Sequence, residues 1–427
     1  MKLSMFKRAA VGAAAALVMS ASAGVALAQQ KITIMPGAWS GATIEFLRQQ
    51  IKPWEEKNNT KVEILNVPNN GTEILAIMQQ NLAAENADID INAMDVVWQG
   101  MLARYAVDMK QFFTPEEIAK YTPTTIALNT INDRLIAVPF YGDLGLFYYR
   151  ADLLKKYGYS EPPKTWAEVK EMAEKVQAGE RAAGNENFWG FVYPASVYEG
   201  FATDIVEWIS SYGGGTWVDR DGNVTANNPN ARAALEELTS WVGKIVPPGV
   251  TSYIVDDARG AFQSGNYLFM RNWPYAYASM QADGSAVKGK FAVAAIPHGP
   301  NGKSASGLGG WQLWISKFSK NPEQAADLIK FINSPENQKE RMLKLARLPS
   351  DPELLKDADI LKTYPWVEMV QKFDLVARPS GSTGTKYSQV SNAALKAVND
   401  MMTGRAKVAE RLEQLDKELN RIKGRGW

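Results

Sequence analysis

An acid and several aromatic residues are concentrated in the stretch 138–150, VPFYGDLGLFYYR. Asp143 stands among three tyrosines, Tyr141, Tyr148 and Tyr149, in a run that is otherwise apolar enough to form a buried strand. A carboxylate accepts hydrogen bonds from hydroxyl groups, and an aromatic ring covers the C–H face of a sugar. Because the proline at 139 limits ladder hydrogen bonding, we expect the run to enter a sheet from a segment that crosses between two bodies. The stretch therefore favours a carbohydrate-binding site at that crossing.

Other residues able to contact a sugar stand at predicted strand ends or beside glycine and proline. A predicted strand over 89–94 delivers Asp95, and Ser40 also follows a strand. Pro274 restricts the backbone of the motif RNWPY so that its two rings can face one way, and the glycines at 309–310 let the backbone approach a ligand closely. The candidate binding residues are Ser40, Asp95, Trp98, Tyr141, Asp143, Trp273, Tyr275, Gly310, Trp311 and Arg378.

Each candidate alone has a plainer structural explanation. A strand-end aspartate such as Asp95 is ordinarily a cap or a salt-bridge residue, and a tryptophan in a chain of this size is ordinarily core packing. Arg378 lies in the stretch ARPSGSTG, a loop without evident core-forming residues, where an arginine is ordinarily solvated. The prediction of a sugar site rests on the conjunction of acids, rings and arginine, because sugars are held by charge-assisted hydrogen bonds and by stacking on flat rings.

Strands alternate with helices in the first part of the chain. Apolar spacing predicts three strands separated by two helices, over 31–35, 44–57, 61–67, 72–84 and 89–94. This alternation is typical of an α/β fold with a doubly wound, largely parallel sheet, in which ligands bind beyond the carboxyl ends of the strands. Near the C-terminus, the spacing over 393–422 predicts one long surface helix.

The composition excludes several classes of function. The chain of 427 residues is long enough for two domains, and its 47 Lys and Arg against 46 Asp and Glu give no indication of nucleic-acid binding. It contains no cysteine and a single histidine, His298. This composition removes thiol chemistry, disulfides, cysteine-based zinc sites and histidine-rich metal sites. We therefore predict no metal and no cofactor.

The stretch 1–28 has the features of a secretory signal peptide. Basic residues precede an apolar run at 9–18, and the sequence ALA at 26–28 is a small-x-small cleavage site. A transmembrane anchor is the alternative, but the apolar run is short and no later segment reaches about 20 apolar residues. No cysteine follows the run that could carry a lipid anchor. We expect a mature periplasmic chain that begins at Gln29 and does not insert into the membrane.

A series of stretches in order along the mature chain carries a family resemblance. They are AMDVVW at 93–98, VPFYGDLGLFYYRADLLKKYGY at 138–159, NFWGFV at 187–192, YEG at 198–200, FQSGN at 262–266, RNWPYA at 271–276, VKGK at 287–290 and LGGW at 308–311. Together they resemble the bacterial ABC-transporter solute-binding proteins that bind sugars and oligosaccharides. The resemblance is closest to trehalose/maltose-binding proteins.

The resemblance implies both a fold and a set of contact residues. The fold is that of a type II periplasmic binding protein, with two α/β lobes, each a doubly wound sheet flanked by helices, that are hinged and close on the ligand. The expected lobes are 29–139 with 292–345 and 140–291 with 346–427. The implied contact residues are Asp95, Tyr141, Asp143, Trp273, Tyr275, Gly310, Trp311 and Arg378.

The chain also departs from trehalose/maltose-binding proteins at two positions. Those relatives carry an acidic residue near the start of the first helix and an arginine early in the second helix, and both grip one glucose ring. This chain has Thr43 and Ile74 there. A sugar hydroxyl without its charged partner loses roughly 1.5–3 kcal/mol. A different disaccharide, another glycoside, a monosaccharide or a polyol therefore stays open as the ligand.

The resulting hypothesis is a monomeric transport receptor and not an enzyme. It would bind a disaccharide or related α-glucoside of trehalose/maltose type reversibly and deliver it to the transmembrane subunits of an ABC permease. A glycosidase that uses Asp95 and Asp143 as an acid/base pair is a second hypothesis, and it needs two carboxyl groups roughly 5–9.5 Å apart. A surface module for carbohydrate polymers is a third, which the discontinuous two-lobe pattern disfavours.

Overall fold

The strands of the protein form two sheets and a short hairpin. The computed structural model describes residues 30–427, and the predicted signal peptide at 1–28 lies outside them. The strands are β1 Gln30–Met35, β2 Thr60–Ile64, β3 Ile91–Asp95, β4 Thr130–Ile131, β5 Arg134–Leu135, β6 Val138–Leu144, β7 Leu146–Arg150, β8 Trp189–Val192, β9 Tyr267–Asn272, β10 Phe291–Ala294, β11 Ser306–Ile315 and β12 Leu375–Val376.

Helices pack against both sheets, and local sequence signals set several of their starts. Thr165 and Glu168 form a capping box at the start of α8, and Pro115 stands in the first turn of α5. The helices are α1 Gly41–Gln50, α2 Lys52–Asn58, α3 Gly71–Ala83, α4 Gln99–Leu102, α5 Pro115–Ile118, α6 Pro123–Leu128, α7 Ala151–Lys156, α8 Trp166–Ala182, α9 Glu199–Ser211, α10 Pro229–Ser240, α11 Val255–Gln263, α12 Tyr275–Met280, α13 Pro322–Ile332, α14 Pro335–Leu345, α15 Ala358–Thr363, α16 Val367–Val370, α17 Ser380–Thr383, α18 Tyr387–Met402 and α19 Val408–Lys423.

The first sheet has the order β12-β11-β3-β1-β2, and β6 also pairs with β11. β1 runs parallel to β2 and β3, whereas β11 runs antiparallel to β3 and β6. The predicted α/β fold is confirmed. The sheet is mixed rather than largely parallel, because the chain leaves it along β6 and re-enters it along β11. The register of this second pairing shifts between Trp311 and Gln312, opposite Pro139, where the proline has no N–H to donate.

The second sheet has the order β10-β7-β9-β8. β7 lies between two antiparallel neighbours, and β8 runs parallel to β9. Both faces are covered, since Phe147 of β7 packs in a cluster with residues of α8 and α9 while Tyr148 packs on the other face with residues of α11 and α14. A separate apolar cluster surrounds the first sheet. The molecule therefore has two lobes, each with a core built around its own sheet.

The chain passes between the sheets at two adjacent points, 144–146 and 295–305. The N–H of Gly145 donates to the carbonyl of Gly307 at 3.2 Å, and Ser306 Oγ donates to the carbonyl of Gly145 at 2.6 Å. Glu207 lies beneath this junction and accepts from the N–H of Gly307 at 2.7 Å. A Cβ at position 145 would overlap the Glu207 carboxylate, so glycine is the residue that lets the buried acid approach both crossings.

One feature of the chain differs from the sequence expectations. The long helix expected over 393–422 is two helices, α18 and α19, because the chain turns at Gly404, whose φ of +70° ends the first. The motif RNWPY runs from the end of β9 to the first residue of α12, with Pro274 just before that helix. Within residues 30–427, no helix combines the length and the apolar character that a bilayer span requires.

Replacing Arg271 by methionine is expected to lower the free energy of unfolding by about 3–5 kcal/mol. Arg271 pairs with Glu207 at 2.5 Å and with Asp204 at 2.8 Å, and its loss leaves two buried carboxylates without their cation. Urea unfolding followed by circular dichroism measures the change. The control, Lys288→Met, removes the exposed pair with Asp283 and should leave the free energy of unfolding unchanged. Equal losses of stability in both variants would contradict a stabilising role of the buried Arg271 pairs.

Candidate ligand-binding site

β11 carries aromatic and glycine residues between two strands that carry acids. Trp311 lies opposite Asp95 of β3 on one side and opposite Tyr141 of β6 on the other. Directly paired residues of antiparallel strands project to the same face, as do residues two apart along a strand. Asp143 therefore joins these three side chains on one face of the sheet. The strand pairing alone brings four of the sequence-predicted residues together.

Trp311 is a fixed ring rather than a mobile one. It is 8% exposed, and its indole meets Trp39 and Trp98 edge-on, with ring centroids 6.5 and 5.4 Å apart. A Cβ at Gly37 would overlap the indole, so the backbone of Gly37 is packed directly against the ring. Trp98 was predicted to contact the ligand, but the structure places it behind Trp311, where its burial leaves it no surface in the cleft.

The glycine pair before Trp311 permits a close approach of three segments. Gly310 has a φ of +123°, and a Cβ there would lie 2.7 Å from the carbonyl oxygen of Tyr141. A Cβ on Gly309 would lie 2.7 Å from the indole of Trp273. Side chains at either position would separate β11 from β6 or from the second lobe. This crowding explains why the motif GGW contains glycine at both positions.

The second lobe contributes Trp273 and Tyr275 from the segment between β9 and α12. Tyr148 donates from its hydroxyl to the carbonyl of Trp273 at 2.8 Å and fixes the backbone. The guanidinium of Arg271 covers the Trp273 ring with its carbon 4.2 Å from the ring centroid. Trp273 is half-buried and lines the cleft. Tyr275 donates to Asp256 Oδ1 at 2.6 Å, which orients both side chains at the cleft wall.

Arg378 joins acids from the two lobes. Its Nη2 donates to Asp95 Oδ1 at 2.6 Å, and its Nη1 donates to Glu199 Oε1 at 2.7 Å. Glu199 also accepts from the hydroxyls of Tyr387 and Ser391. Burial raises the pKa of Glu199, while Arg378 acts in the opposite direction. Arg378 therefore organises the two acids, and sequence analysis of the site missed Glu199 although it lies in the motif YEG.

Arg347 forms the corresponding pair with Asp143. Its Nη1 donates to Asp143 Oδ2 at 3.1 Å, and its guanidinium carbon lies 4.7 Å from the Tyr141 ring centroid and 4.6 Å from that of Tyr275. Burial raises the pKa of Asp143 to about 6, against the opposing effect of Arg347. No sequence signal marks Arg347, since a lone arginine after a predicted helix is ordinarily exposed to solvent.

Thr43 and Ile74, the positions of the two missing charged groups, have different environments. Thr43 is buried and its Oγ1 lies 3.0 Å from Ser40 Oγ and 3.5 Å from Arg347 Nη2. Ser40 caps α1 and lines the cleft. Ile74 is fully buried in the core of the first lobe, so position 74 offers the cleft no polar group.

Besides the bonds of Arg378, hydrogen bonds at the start of α3 join the two lobes directly. Asn69 Nδ2 donates to Asp256 Oδ2 at 2.8 Å, and the backbone N–H of Glu199 donates to Thr72 Oγ1 at 3.2 Å. Asn69 and Thr72 lie at the start of the helix α3 segment in the first lobe, whereas Asp256 and Glu199 begin helices of the second. The structure is therefore a conformation in which the two lobes touch.

The cleft between the lobes collects most of the predicted residues. In this conformation the cleft encloses a free volume of about 70 Å³, less than the roughly 300–1,000 Å³ usual for occupied small-molecule sites. Within residues 30–427, several buried polar atoms at its wall have no hydrogen-bond partner, among them Tyr141 Oη, Asp143 Oδ1 and Tyr198 Oη. The sequence-predicted residues that line it are Ser40, Asp95, Tyr141, Asp143, Trp273, Tyr275, Gly310, Trp311 and Arg378.

The arrangement can hold a polyhydroxylated molecule by hydrogen bonds and ring contacts. Charged lining residues that the sequence analysis did not find are Glu199, Asp256 and Arg347. In the part of the chain that the structure describes, no group of three or more His, Asp or Glu side chains is placed to hold a metal ion. The chemistry available in the cleft is therefore acceptance and donation of hydrogen bonds beside indole and phenol rings.

Comparison with known proteins gives consistent matches over most of the chain. The profile of the bacterial extracellular solute-binding protein family matches residues 39–339. A probable ABC transporter-binding protein of Deinococcus radiodurans is 44% identical over 376 residues, which are 88% of this chain and 89% of that protein. The structure of maltose-bound MalE3 of T. maritima is similar, with 35% identity, a TM-score of 0.86, and coverage of 92% of this chain and 99% of that one.

Replacing Gly37 by alanine is expected to displace the Trp311 ring and to lower the free energy of unfolding by about 1–3 kcal/mol, because the added methyl overlaps the indole. Near-ultraviolet circular dichroism reports the ring's environment, and thermal unfolding reports stability. Gly41→Ala is the matched control, since its Cβ meets nothing within 4 Å. A Gly37→Ala protein with wild-type melting and spectrum would show that the ring is not fixed by this contact.

Proposed function

Since the chain belongs to the bacterial extracellular solute-binding protein family, we propose that its cleft binds a neutral disaccharide of trehalose/maltose type or a related α-glucoside. The chain is a sugar-binding solute-binding protein of an ABC transporter, the component that binds a small molecule and delivers it to the permease. Proteins of this family bind substrates and are not enzymes. The proposal concerns the ligand and the residues that hold it.

The observation that carries the proposal is the pairing of rings and acids around one cleft. Trp273 from the second lobe and Trp311 from the first line the same space as Asp95 and Asp143. Sugars offer apolar C–H faces to rings and hydroxyl donors to carboxylates. Because the residues come from both lobes, closure of the lobes around the ligand brings both kinds of contact together.

The charges of the lining favour a neutral ligand over a sugar acid. Its acids are Asp95, Asp143, Glu199 and Asp256, and its arginines are Arg347 and Arg378. Each arginine is already paired with at least one of these acids. A carboxylate or phosphate on the ligand would meet acids without a free cation, and unpaired like charges disfavour binding.

The size of the ligand is supported by the similarity to maltose-bound MalE3 at 35% identity. A monosaccharide or polyol is the second candidate. The observation that favours it is Ile74, which is buried in the core and offers the cleft no polar group, whereas the resemblance to trehalose/maltose-binding proteins implies an arginine there. Calorimetry with both sizes of ligand separates the two candidates.

The ion pairs of both acids disfavour glycoside hydrolysis. Asp95 lies opposite Trp311 and Asp143 opposite Gly309, on the two sides of β11. Each carboxylate also accepts from an arginine. Neither acid is therefore free to protonate a leaving group.

Purified protein is expected to melt at a higher temperature in the presence of maltose or trehalose, because a ligand that binds only the folded form stabilises it. Trp273→Ala should weaken binding at least about tenfold, as truncation of a buried aromatic contact does, and should abolish the shift at moderate ligand concentration. Differential scanning fluorimetry and calorimetry provide the measurements, with mannitol and glucuronate as the smaller and the anionic comparisons.

The control for this experiment is Trp427→Ala, which removes a tryptophan that contacts Gly222 outside the cleft. The Trp427→Ala protein should show the same ligand-induced rise in melting temperature as the wild type. A shift with mannitol alone would favour the polyol candidate. Absence of any shift with the neutral sugars and polyols, or a stronger shift with glucuronate, would overturn the proposal.

A further inference from the structure

Arg347 is held in place by the backbone on both sides of it. The preceding residue, Ala346, ends α14 in the left-handed conformation with φ of +52°. The following residue, Leu348, accepts at its carbonyl from the N–H of Gly142 in β6 at 3.0 Å. The chain therefore turns sharply out of α14 and is tied to the strand that carries Asp143. Arg347 is 4% exposed.

The Arg347 side chain touches elements of both lobes. Its guanidinium lies near the faces of Tyr141 in β6 and Tyr275 in α12, and its Nη2 approaches Thr43 of α1 at 3.5 Å. Stacking between two rings and a bond to Asp143 leave the group one orientation. A single cation thus contacts the first lobe, the second lobe and an acid of the cleft.

In the Asp143–Arg347 pair, each partner keeps one polar atom that has no hydrogen-bond partner among the described residues. Asp143 uses Oδ2 for the arginine, while Oδ1 accepts no hydrogen bond from residues 30–427. The Nε of Arg347 likewise donates to no group in that part of the chain. Both residues line the cleft. A buried acceptor and a buried donor at the cleft wall are therefore without hydrogen-bond partners in the described chain, and hydroxyl groups of a sugar or polyol could satisfy them.

We propose that Arg347 is a positioning residue for ligand recognition, which by holding Oδ2 of Asp143 keeps the carboxylate ionised and presents Oδ1 to a ligand hydroxyl. The inference rests on the proposed function and adds a residue and a role to it. Without the arginine, the buried aspartate would take up a proton, and a protonated carboxyl cannot accept hydroxyl hydrogen bonds as a carboxylate does.

Charged and titratable groups face Asp143 from every element packed around it. They are Arg347 after α14, Arg271 of β9, Asp95 of β3, Tyr148 of β7 and Tyr141 of its own strand. Burial raises the pKa of Asp143, Arg347 and Arg271 lower it, and Asp95 raises it; the result is about 6. Arg347 is the largest opposing influence and the only one that bonds to the carboxylate. Arg347 is therefore the main group that opposes protonation of the buried Asp143.

The direct test is titration of Asp143 in the ligand-free protein, by the ¹³C chemical shift of its carboxyl group in protein labelled at aspartate. The Asp143→Asn variant identifies the signal. The wild-type midpoint is expected at pH about 6, and Arg347→Met should raise it by about 1–3 pH units, the effect of removing a nearby opposite charge. Arg347→Lys keeps a cation and should move the midpoint less than the methionine variant does.

The matched control for this titration is Arg181→Met, which removes an arginine that also stacks on a ring, that of Trp189, outside the cleft. It should leave the midpoint unchanged. Circular dichroism establishes that each variant is folded, and Arg347→Lys keeps the test decisive if the methionine variant does not fold. An unchanged Asp143 midpoint in the folded Arg347 variants would overturn the proposal.

The functional test is calorimetry with maltose as the probe between pH 5 and 9. The wild-type affinity should fall as the pH drops through about 6, where Asp143 gains its proton. In Arg347→Met the affinity for maltose should fall at a pH about 1–3 units higher than in the wild type. The affinity of this variant should recover towards pH 9. Asp143→Asn should bind weakly with no such dependence on pH.

The two tests separate this inference from the proposed function. A merely structural role for Arg347 predicts a loss of maltose affinity by the same factor at every pH, and that result would overturn the inference. If wild-type protein binds neither maltose nor trehalose, the proposed disaccharide function fails, while the ligand-free midpoint still decides whether Arg347 controls Asp143.

Discussion

β11 hydrogen-bonds to β3 along one edge and to β6 along the other, and this double pairing determines which side chains meet in the cleft. Side chains alternate between the faces of a strand, so a slip of β11 by one residue would turn Trp311 away from the face that carries Asp95 and Asp143. The register is held where Gly310 adopts a φ of +123° against the carbonyl of Tyr141. A backbone position that only glycine accepts readily thus fixes the geometry on which the remaining contacts depend.

The second constraint is the burial of charge. Burial raises the pKa values of Asp143, Glu199 and Asp204, and each of these acids is paired with an arginine. Buried ion pairs of this kind contribute little to stability compared with apolar residues of the same size, whereas removal of one partner is strongly destabilising. Their placement around the cleft and under the crossing strands is therefore explained better by recognition and by lobe geometry than by stability. The orphan polar atoms in the cleft wall have the same explanation, because a hydroxylated ligand can satisfy them.

The sequence predicted the α/β class, most element positions and the main cleft residues, because these depend on local patterns. The alternation of strands and helices, the cap at Thr165 and the motif RNWPY each depend on residues that are close together in the sequence. The mixed sheet was not predictable in the same way, since the pairing of β6 with β11 joins segments more than 160 residues apart. Trp98 was misplaced for a related reason: its position after a strand says nothing about the ring of Trp311, which covers it.

The residues that sequence reasoning missed, Glu199 and Arg347, act through partners that only the fold supplies. Glu199 starts a helix like many exposed acids, and it becomes a buried member of the site because Arg378, Tyr387 and Ser391 converge on it. Arg347 follows a helix end, yet the left-handed turn at Ala346 directs the chain towards β6. No composition or periodicity distinguishes such residues from solvated ones, because the information lies in three-dimensional proximity.

Arg271 connects the ligand cleft with the crossing between the lobes. Arg271 covers the ring of Trp273 on one side and donates to Glu207 on the other, and Glu207 accepts from the N–H of Gly307 at the crossing. Gly307 and Trp311 belong to the same strand. A force on either tryptophan therefore reaches the crossing through one or two contacts, and no long pathway between site and hinge is required. The ring of Trp273, which we propose contacts the ligand, is thus packed against Arg271, whose partner Glu207 bonds to the crossing at Gly307.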